Sequence, residues 1–212
     1  MDHQQARAAL EQRLERDADS ILQFVQKFVQ IPSENPDGDT TAATAYLTDW
    51  MSERGLDHEV VAPQPTMPNV VAGFDGGEPG KHLVLNGHID IFPAGDPTQW
   101  SDDPFSGAVR DGKLFGRGVI DMKTGTAASF LTYMYLHEMR QQLKGRLTLT
   151  AVSDEETGGT WGTGYLMDNH PDVIGDCVLN GEPSTPYTIR FGEKGPVWLD
   201  MLVRTPGGHG AY

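Results

Sequence analysis

Apolar positions recur at helical spacing from the start of the chain. Leu10 and Leu14 mark one stripe; Ile21, Val25, Phe28 and Val29 mark another, and Pro32 stops the run. Asp39 is placed to cap a second helical segment with an apolar face of Ala43, Tyr46, Leu47, Trp50 and Met51, closed by Gly55. The pattern then shortens to β-type runs at Glu59–Ala62, Asn69–Phe74 and His82–Asn86. Gly107–Arg110 and Lys113–Phe115 flank Asp111-Gly112, a strong hairpin signal. Met122–Leu143 reads as a long helix with Ala128, Leu131, Tyr135, Met139 and Leu143 on one face. Arg146–Ser153 alternates as a strand, Trp161–Met167 reads as a short helix, and Asp176–Asn180 as another strand. Strands interleaved with helices predict an α/β domain around a mostly parallel sheet. After Gly192 the character changes: Pro196–Arg204 reads as a long strand, followed by the glycine-rich Thr205–Tyr212, as if a second domain opened there.

Composition narrows the function classes. At 212 residues, 38% hydrophobic and 22% charged, the chain is globular, the size of one domain or one and a fragment. No apolar run approaches the roughly 20 residues of a membrane helix, and the charged N-terminal segment predicts no secretory signal. Sixteen Lys and Arg against 30 Asp and Glu leave a net charge of −14. Such a chain repels phosphate backbones and anionic lipid, so neither nucleic acid nor membrane is expected as a partner. The single cysteine, Cys177, cannot form an internal disulfide and reads as a small buried hydrophobe, in keeping with a cytoplasmic protein.

The residues suited to chemistry stand at the ends of predicted strands. Gly87-His88-Ile89-Asp90 follows His82–Asn86, and residues two apart on an extended chain point to the same side. A carboxylate beside a metal-binding imidazole fixes its tautomer, although the same pair also suits a solvent-exposed loop. Asp121 stands where a loop turns into a helix, where it also suits a simple N-cap. Asp154-Glu155-Glu156 follows the strand ending at Ser153; adjacent acids repel, and a cation would relieve them. Glu182 follows the strand ending at Asn180. In open α/β sheets the ligand crevice lies at the carboxyl ends of the strands. One imidazole with several carboxylates suits zinc or a similar divalent ion, and the surplus acid suits two ions sharing a bridge. The chain has neither a Gly-x-Ser-x-Gly nucleophile elbow nor a phosphate-binding loop.

Taken in order, GHIDIFPAGD (87–96), WSDDPF (100–105), LFGRGVIDMK (114–123), SDEETG (153–158) and GEPS (181–184) resemble a known family. It is that of the dinuclear zinc amidohydrolases and exopeptidases, with acetylornithine deacetylase, succinyl-diaminopimelate desuccinylase, aminoacylase and carboxypeptidase G. The likeness runs from about Ile21 to Tyr212. It implies a three-layer α/β/α catalytic domain over 1–192 and the start of an α+β lid, or dimerisation, domain over 193–212. By the same resemblance His88 and Glu182 match ligands of a first metal, Glu156 a ligand of a second, and Asp121 the carboxylate bridging both. Asp90 matches the acid orienting His88, and Glu155 the general base. The Asp121–Met122 bond matches one that is cis in relatives. His209 matches a lid histidine that stabilises the oxyanion in a neighbouring subunit's site.

The implied cofactors are two divalent ions, zinc first and cobalt or manganese as alternatives. The implied reaction is hydrolysis of amide bonds in N-acyl amino acids or small peptides, by a water activated between the metals with Glu155 as base, in a homodimer. Glu at position 182 leans towards the acylamino-acid deacylases. Relatives supply a further histidine ligand near their C-terminus that has no match here, so the chain reads as C-terminally truncated. The alternative function is therefore a non-catalytic metal-binding remnant or an inactive fragment. His3, His58, His82, His137 and His170 carry no partner pattern and read as surface residues. Trp100, Phe105 and Arg117 are expected to pack the loops beneath the site.

Overall fold

The computed structural model describes residues 3–183, 187–192, 195, 199–204 and 208. Helices α1 (His3–Arg16) and α2 (Ala18–Val29) lead into α3 (Thr41–Ser52). Of the predicted stripes, Val25, Phe28 and Val29 on α2 are buried and joined by Phe24, and Ala43, Leu47, Trp50 and Met51 on α3 are buried; Ile21 and Tyr46 are half-buried, and on α1 Leu10 is half-buried and Leu14 exposed. The Asp39 carboxylate accepts the Thr41 main-chain N–H at 2.9 Å and so holds the first turn of α3.

Five strands form the main sheet in the order β1 (Glu59–Val61), β2 (Asn69–Asp75), β6 (Lys144–Val152), β3 (Glu78–His88), β7 (Cys177–Asn180). β3 pairs in parallel with both β6 and β7, while β2 pairs antiparallel with β1 and β6. β2 therefore runs against the other four strands. β4 (Ala108–Arg110) and β5 (Lys113–Phe115) form the separate hairpin, with Asp111 at φ 49° and Gly112 at φ 70°, as a type I′ turn requires.

Alternation along the strands divides the core. Val70, Ala72, Phe74, Leu85, Leu147, Leu149 and Ala151 face α2, α3 and α4 (Thr124–Glu138). Val61, Val152, Leu166 and Val173 make a smaller cluster on the opposite face, beneath α5 (Thr163–Asn169). The sheet is thus covered on both sides, in three layers. β6 is central and buried on both faces; Thr148 and Thr150 satisfy their hydroxyls there on His82 and Asn86.

Three readings of the pattern change. The long helix starts at Thr124 and stops at Glu138, because Val119–Lys123 forms a separate wide turn with a cis Asp121–Met122 bond. Its buried residues are Thr126, Ala127, Ser129, Phe130, Tyr133 and Tyr135; of the predicted stripe Tyr135 is buried, Leu131 and Leu143 pack against the core, and Ala128 is exposed. Cys177 is exposed rather than buried, because β7 is an edge strand with no further strand paired to it among the described residues. Of the strand expected over Pro196–Arg204, residues 199–204 have no ladder partner among the described residues and are not a strand.

Candidate metal centre

Three parallel neighbours end side by side. Register pairs His88 with Val152 and Asn86 with Asn180, so the segments after β3, β6 and β7 open onto one edge. The turn before α4 brings Asp121 to the same place. Glycines permit the approach. A Cβ on Gly87 would stand 2.5 Å from Thr126 Oγ1, and one on Gly125 would fall on the Gly181 carbonyl, so α4 and the end of β7 touch through backbone.

His88, only 2% exposed, is the centre of this edge. Its Nδ1 lies 2.7 Å from the Asp90 main-chain oxygen, which only accepts, so Nδ1 carries a proton and Nε2 faces the acids. Nε2 stands 3.0 Å from Asp121 Oδ1, 3.4 Å from Glu182 Oε2 and 3.8 Å from Glu155 Oε2. One ligand atom from each of His88, Asp121 and Glu182 lies within 4.8 Å of the others. Glu156 stands apart from this trio: its Oε1 accepts the Phe92 N–H at 2.9 Å.

Asp90 and Asp154 organise the acids. The fully buried Asp90 carboxylate accepts the main-chain N–H of Glu155 at 3.2 Å and of Glu156 at 3.1 Å, and the Asn35 amide at 2.9 Å. Its Oδ1 is 3.5 Å from His88 Nδ1, so it braces the acidic turn as much as the imidazole. Asp154 is turned away from the cleft, accepting the Trp161 N–H at 2.9 Å and the Thr157 hydroxyl. The run of three acids is thereby resolved into one that shapes the loop and two that face outward.

The electrostatics favour a positive charge here. Burial first, and then the charge of Asp121, push the Glu156 carboxyl up to about 7. Burial likewise raises Glu155, with Asp90, Glu182 and Asp121 adding to it against the opposing pull of His88. Burial works to lower His88, but its hydrogen bonds to Asp90 and Glu182 outweigh that and hold the imidazole at about 11. A divalent cation would relieve the same repulsion among the acids, and an imidazole with carboxylate oxygens is a donor set that zinc accepts. A cavity of about 570 Å³ lined by Glu155, Glu182 and Asn180 lies on one side, and one of about 190 Å³ lined by Asp121, Glu156, Phe92 and Ile120 on the other.

The structure thus brings His88, Asp90, Asp121, Glu155, Glu156 and Glu182 to one strand edge, while His209 lies outside the described residues. Sequence reasoning missed the supports. Asn35 holds Asp90, Thr126 Oγ1 donates to the His88 carbonyl at 2.7 Å, and Lys123 is buried beneath the Asp121 turn. The SEN at 33–35 next to Pro36 is the sequence signal that marks Asn35. Four histidines read as surface, His58, His82, His137 and His170, are half-buried instead: His82 Nε2 meets Thr148 Oγ1 at 2.8 Å, and the His137 ring packs 5.3 Å from Phe74. Trp100 and Arg117 do serve the loops, with Trp100 Nε1 donating to the Ala94 carbonyl at 2.9 Å and the Arg117 guanidinium 5.2 Å over the indole.

Comparison with known proteins points the same way. Residues 84–194 match the profile of Peptidase family M20/M25/M40. A succinyl-diaminopimelate desuccinylase of Wolbachia pipientis wMel is 30% identical over 198 residues, covering 90% of this chain and 48% of its own length. Aminoacylase-1 of Dictyostelium discoideum is 33% identical over 196 residues, covering 88% of this chain and 47% of its own. The chain spans about half the length of these relatives. Among solved structures, the M20 family metallo-carboxypeptidase Sso-CP2 from Sulfolobus solfataricus shares the fold with a TM-score of 0.67 at 23% identity, over 77% of this chain and 37% of that one. Human carnosine dipeptidase 1 shares it with a TM-score of 0.63 at 20% identity, over 81% of this chain and 40% of that one.

Proposed function

The chain belongs to Peptidase family M20/M25/M40, and on that premise we propose that it is a metal-dependent hydrolase of amide bonds in N-acyl amino acids or small peptides. The observation that carries the reading is the trio His88, Asp121 and Glu182, whose ligand atoms lie within 4.8 Å of one another, with Glu155 beside it. His88, Asp121 and Glu182 would hold one ion, and Asp121 with Glu156 would contribute to a second; zinc suits this donor set best. When bound, such ions polarise a carbonyl and lower the pKa of water.

The remaining work falls to the chain itself. Nδ1 of His88 stays protonated on the Asp90 carbonyl, so Nε2 is the nitrogen that would ligate once an ion displaces its proton. Asp90 fixes the Glu155–Glu156 turn through two main-chain N–H groups, so the two acids keep separate positions. Glu155 takes the proton of the attacking water on its carboxylate and returns it to the leaving amine; its raised affinity for protons suits both halves of that task.

The test separates ligand from base. Glu155→Gln should lower turnover of N-acyl amino acids by at least ~10²-fold while metal content stays near that of the parent. His88→Ala should lose metal and activity together. Normal turnover by Glu155→Gln would remove the base assignment. Firm metal binding without hydrolysis of any N-acyl amino acid or dipeptide would leave a metal-binding unit and sink the hydrolase reading.

A further inference from the structure

Next to the ligands, two large apolar side chains stand out in water. Ile120, adjoining Asp121, is 73% exposed, and Phe92, whose N–H holds Glu156, is 57% exposed. The two come from different elements, the segment after β3 and the turn before α4, yet they line one cavity of about 190 Å³ together with Gly116, Arg117, Gly118, Asp121 and Glu156. An isolated surface hydrophobe needs no explanation, but a pair converging on a pocket that contains candidate metal ligands is a binding feature. The cavity is smaller than the roughly 300–1,000 Å³ that holds a drug-sized ligand, and so has the scale of one substrate group rather than a whole substrate.

We infer that Phe92 and Ile120 form the walls of a subsite for a bulky apolar group attached close to the scissile amide. The inference rests on the amide-hydrolase reading and adds a substrate class to it: amides bearing a branched aliphatic group, in preference to those bearing hydrogen or methyl at that position. The pocket begins at Asp121 and Glu156, so its occupant lies next to the reacting carbonyl and not at a distant end of the substrate. The group can belong to the amino acid or to the acyl part, since either lies within a few bonds of the amide.

The experiment uses the purified chain loaded with zinc. The kcat/KM ratio is measured for N-acetyl-leucine over N-acetylglycine, and for N-isovalerylglycine over N-acetylglycine. One of the two ratios should exceed unity and identify the side from which the group enters. In Phe92→Ala with Ile120→Ala that ratio should fall about tenfold, the scale of discrimination available to an apolar pocket. Ile120→Trp, which fills the space, should reverse the preference towards the small substrate. Both positions are exposed, so the substitutions leave the core alone.

Calorimetry with leucine, glycine, isovalerate and acetate gives a readout that does not depend on turnover. The parent should bind the branched member of one pair more tightly, and the double variant should not. If the parent hydrolyses these amides but the ratios ignore both variants, the subsite is refuted while the hydrolase reading stands. If the parent hydrolyses none of them, the hydrolase reading fails and calorimetry decides the pocket alone: branched-ligand preference lost in the double variant supports it, and equal affinities overturn it.

Discussion

Lys123 takes its amine into the interior, where burial pulls the group down to about 7. It is fully buried, with Nζ 3.0 Å from the Phe28 carbonyl, also bonded to the Ile31 carbonyl, and 4.9 Å above the Phe28 ring. Those carbonyls close the C-terminal end of α2, where helical acceptors have no partner of their own and a cation is favoured by the helix dipole. One side chain thereby ties the turn that presents Asp121 to the helix beneath it. Lys123→Met keeps much of the volume but leaves the Ile31 carbonyl unpaired and the Phe28 carbonyl with only the Ile31 N–H at 3.3 Å. It should destabilise the fold by about 1–3 kcal/mol, seen as a lower urea midpoint at unchanged slope. An unchanged midpoint would mean that desolvating the ammonium cancels everything it contributes.

Elements meet at two junctions that can be tested separately. Gly125 near the start of α4 abuts Gly181, the residue before Glu182. On helix propensity alone, Gly125→Ala should help by about 1 kcal/mol. The new Cβ would instead meet the Gly181 carbonyl, a backbone atom that cannot rotate aside, and so displace Glu182 from His88. Zinc affinity, read by competition with a chromogenic chelator, should fall by about 10-fold or more, in the range of an outer-shell change at a metal site. An unaltered affinity would show that the strand end yields without moving its ligand.

The second junction joins α2 to α4. The Tyr135 hydroxyl donates to Asp17 Oδ2 at 2.9 Å, and Arg16 donates to both Asp17 oxygens. The Arg16 hydrogen bonds first, then that of Tyr135, hold the Asp17 carboxyl down at about 2 instead of the usual 3.8. A carboxyl whose pKa is lower when folded stabilises the fold above its unfolded pKa and stops doing so as pH falls through the folded value. Asp17→Asn should therefore lower the urea midpoint at pH 7, with the deficit fading between about pH 4 and pH 2. A deficit that does not change with pH would assign the effect to packing.

At the scale of the molecule, a charge of −14 opposes an apolar edge. Val178 and Leu179 on β7 are 59% and 57% exposed, on opposite faces of an edge strand. Such an edge invites pairing between copies, while like charge keeps copies apart. Screening shortens the reach of charge from about 10 Å at 0.1 M salt to about 3 Å at 1 M. Sedimentation should therefore detect self-association that grows with sodium chloride, and Leu179→Lys should suppress it. Association that salt weakens would point to paired charges in place of the apolar edge.

Periodicity was enough to place the helices through Phe28 and Leu47, the hairpin at Asp111-Gly112 and, to within a few residues, the strands read at His82–Asn86, Arg146–Ser153 and Asp176–Asn180. It also placed His88, Asp121, Glu155, Glu156 and Glu182 at or just beyond strand ends, because spacing along a chain is a local property and ligand-bearing loops follow the strands directly. What it could not determine depended on neighbours far away in the chain. Cys177 is exposed because the strand order leaves β7 at the edge, and nothing within Asp176–Asn180 encodes that position. Ala128 is exposed although it shares a stripe with the buried Tyr135, because the face of α4 that is buried is set by where Gly87 and Gly181 admit the helix. Asp154 and Glu155 are neighbouring acids, yet one braces a loop and the other faces His88. The choice is made by Trp161, Thr157 and Asp90, which only the folded chain brings within hydrogen-bond reach.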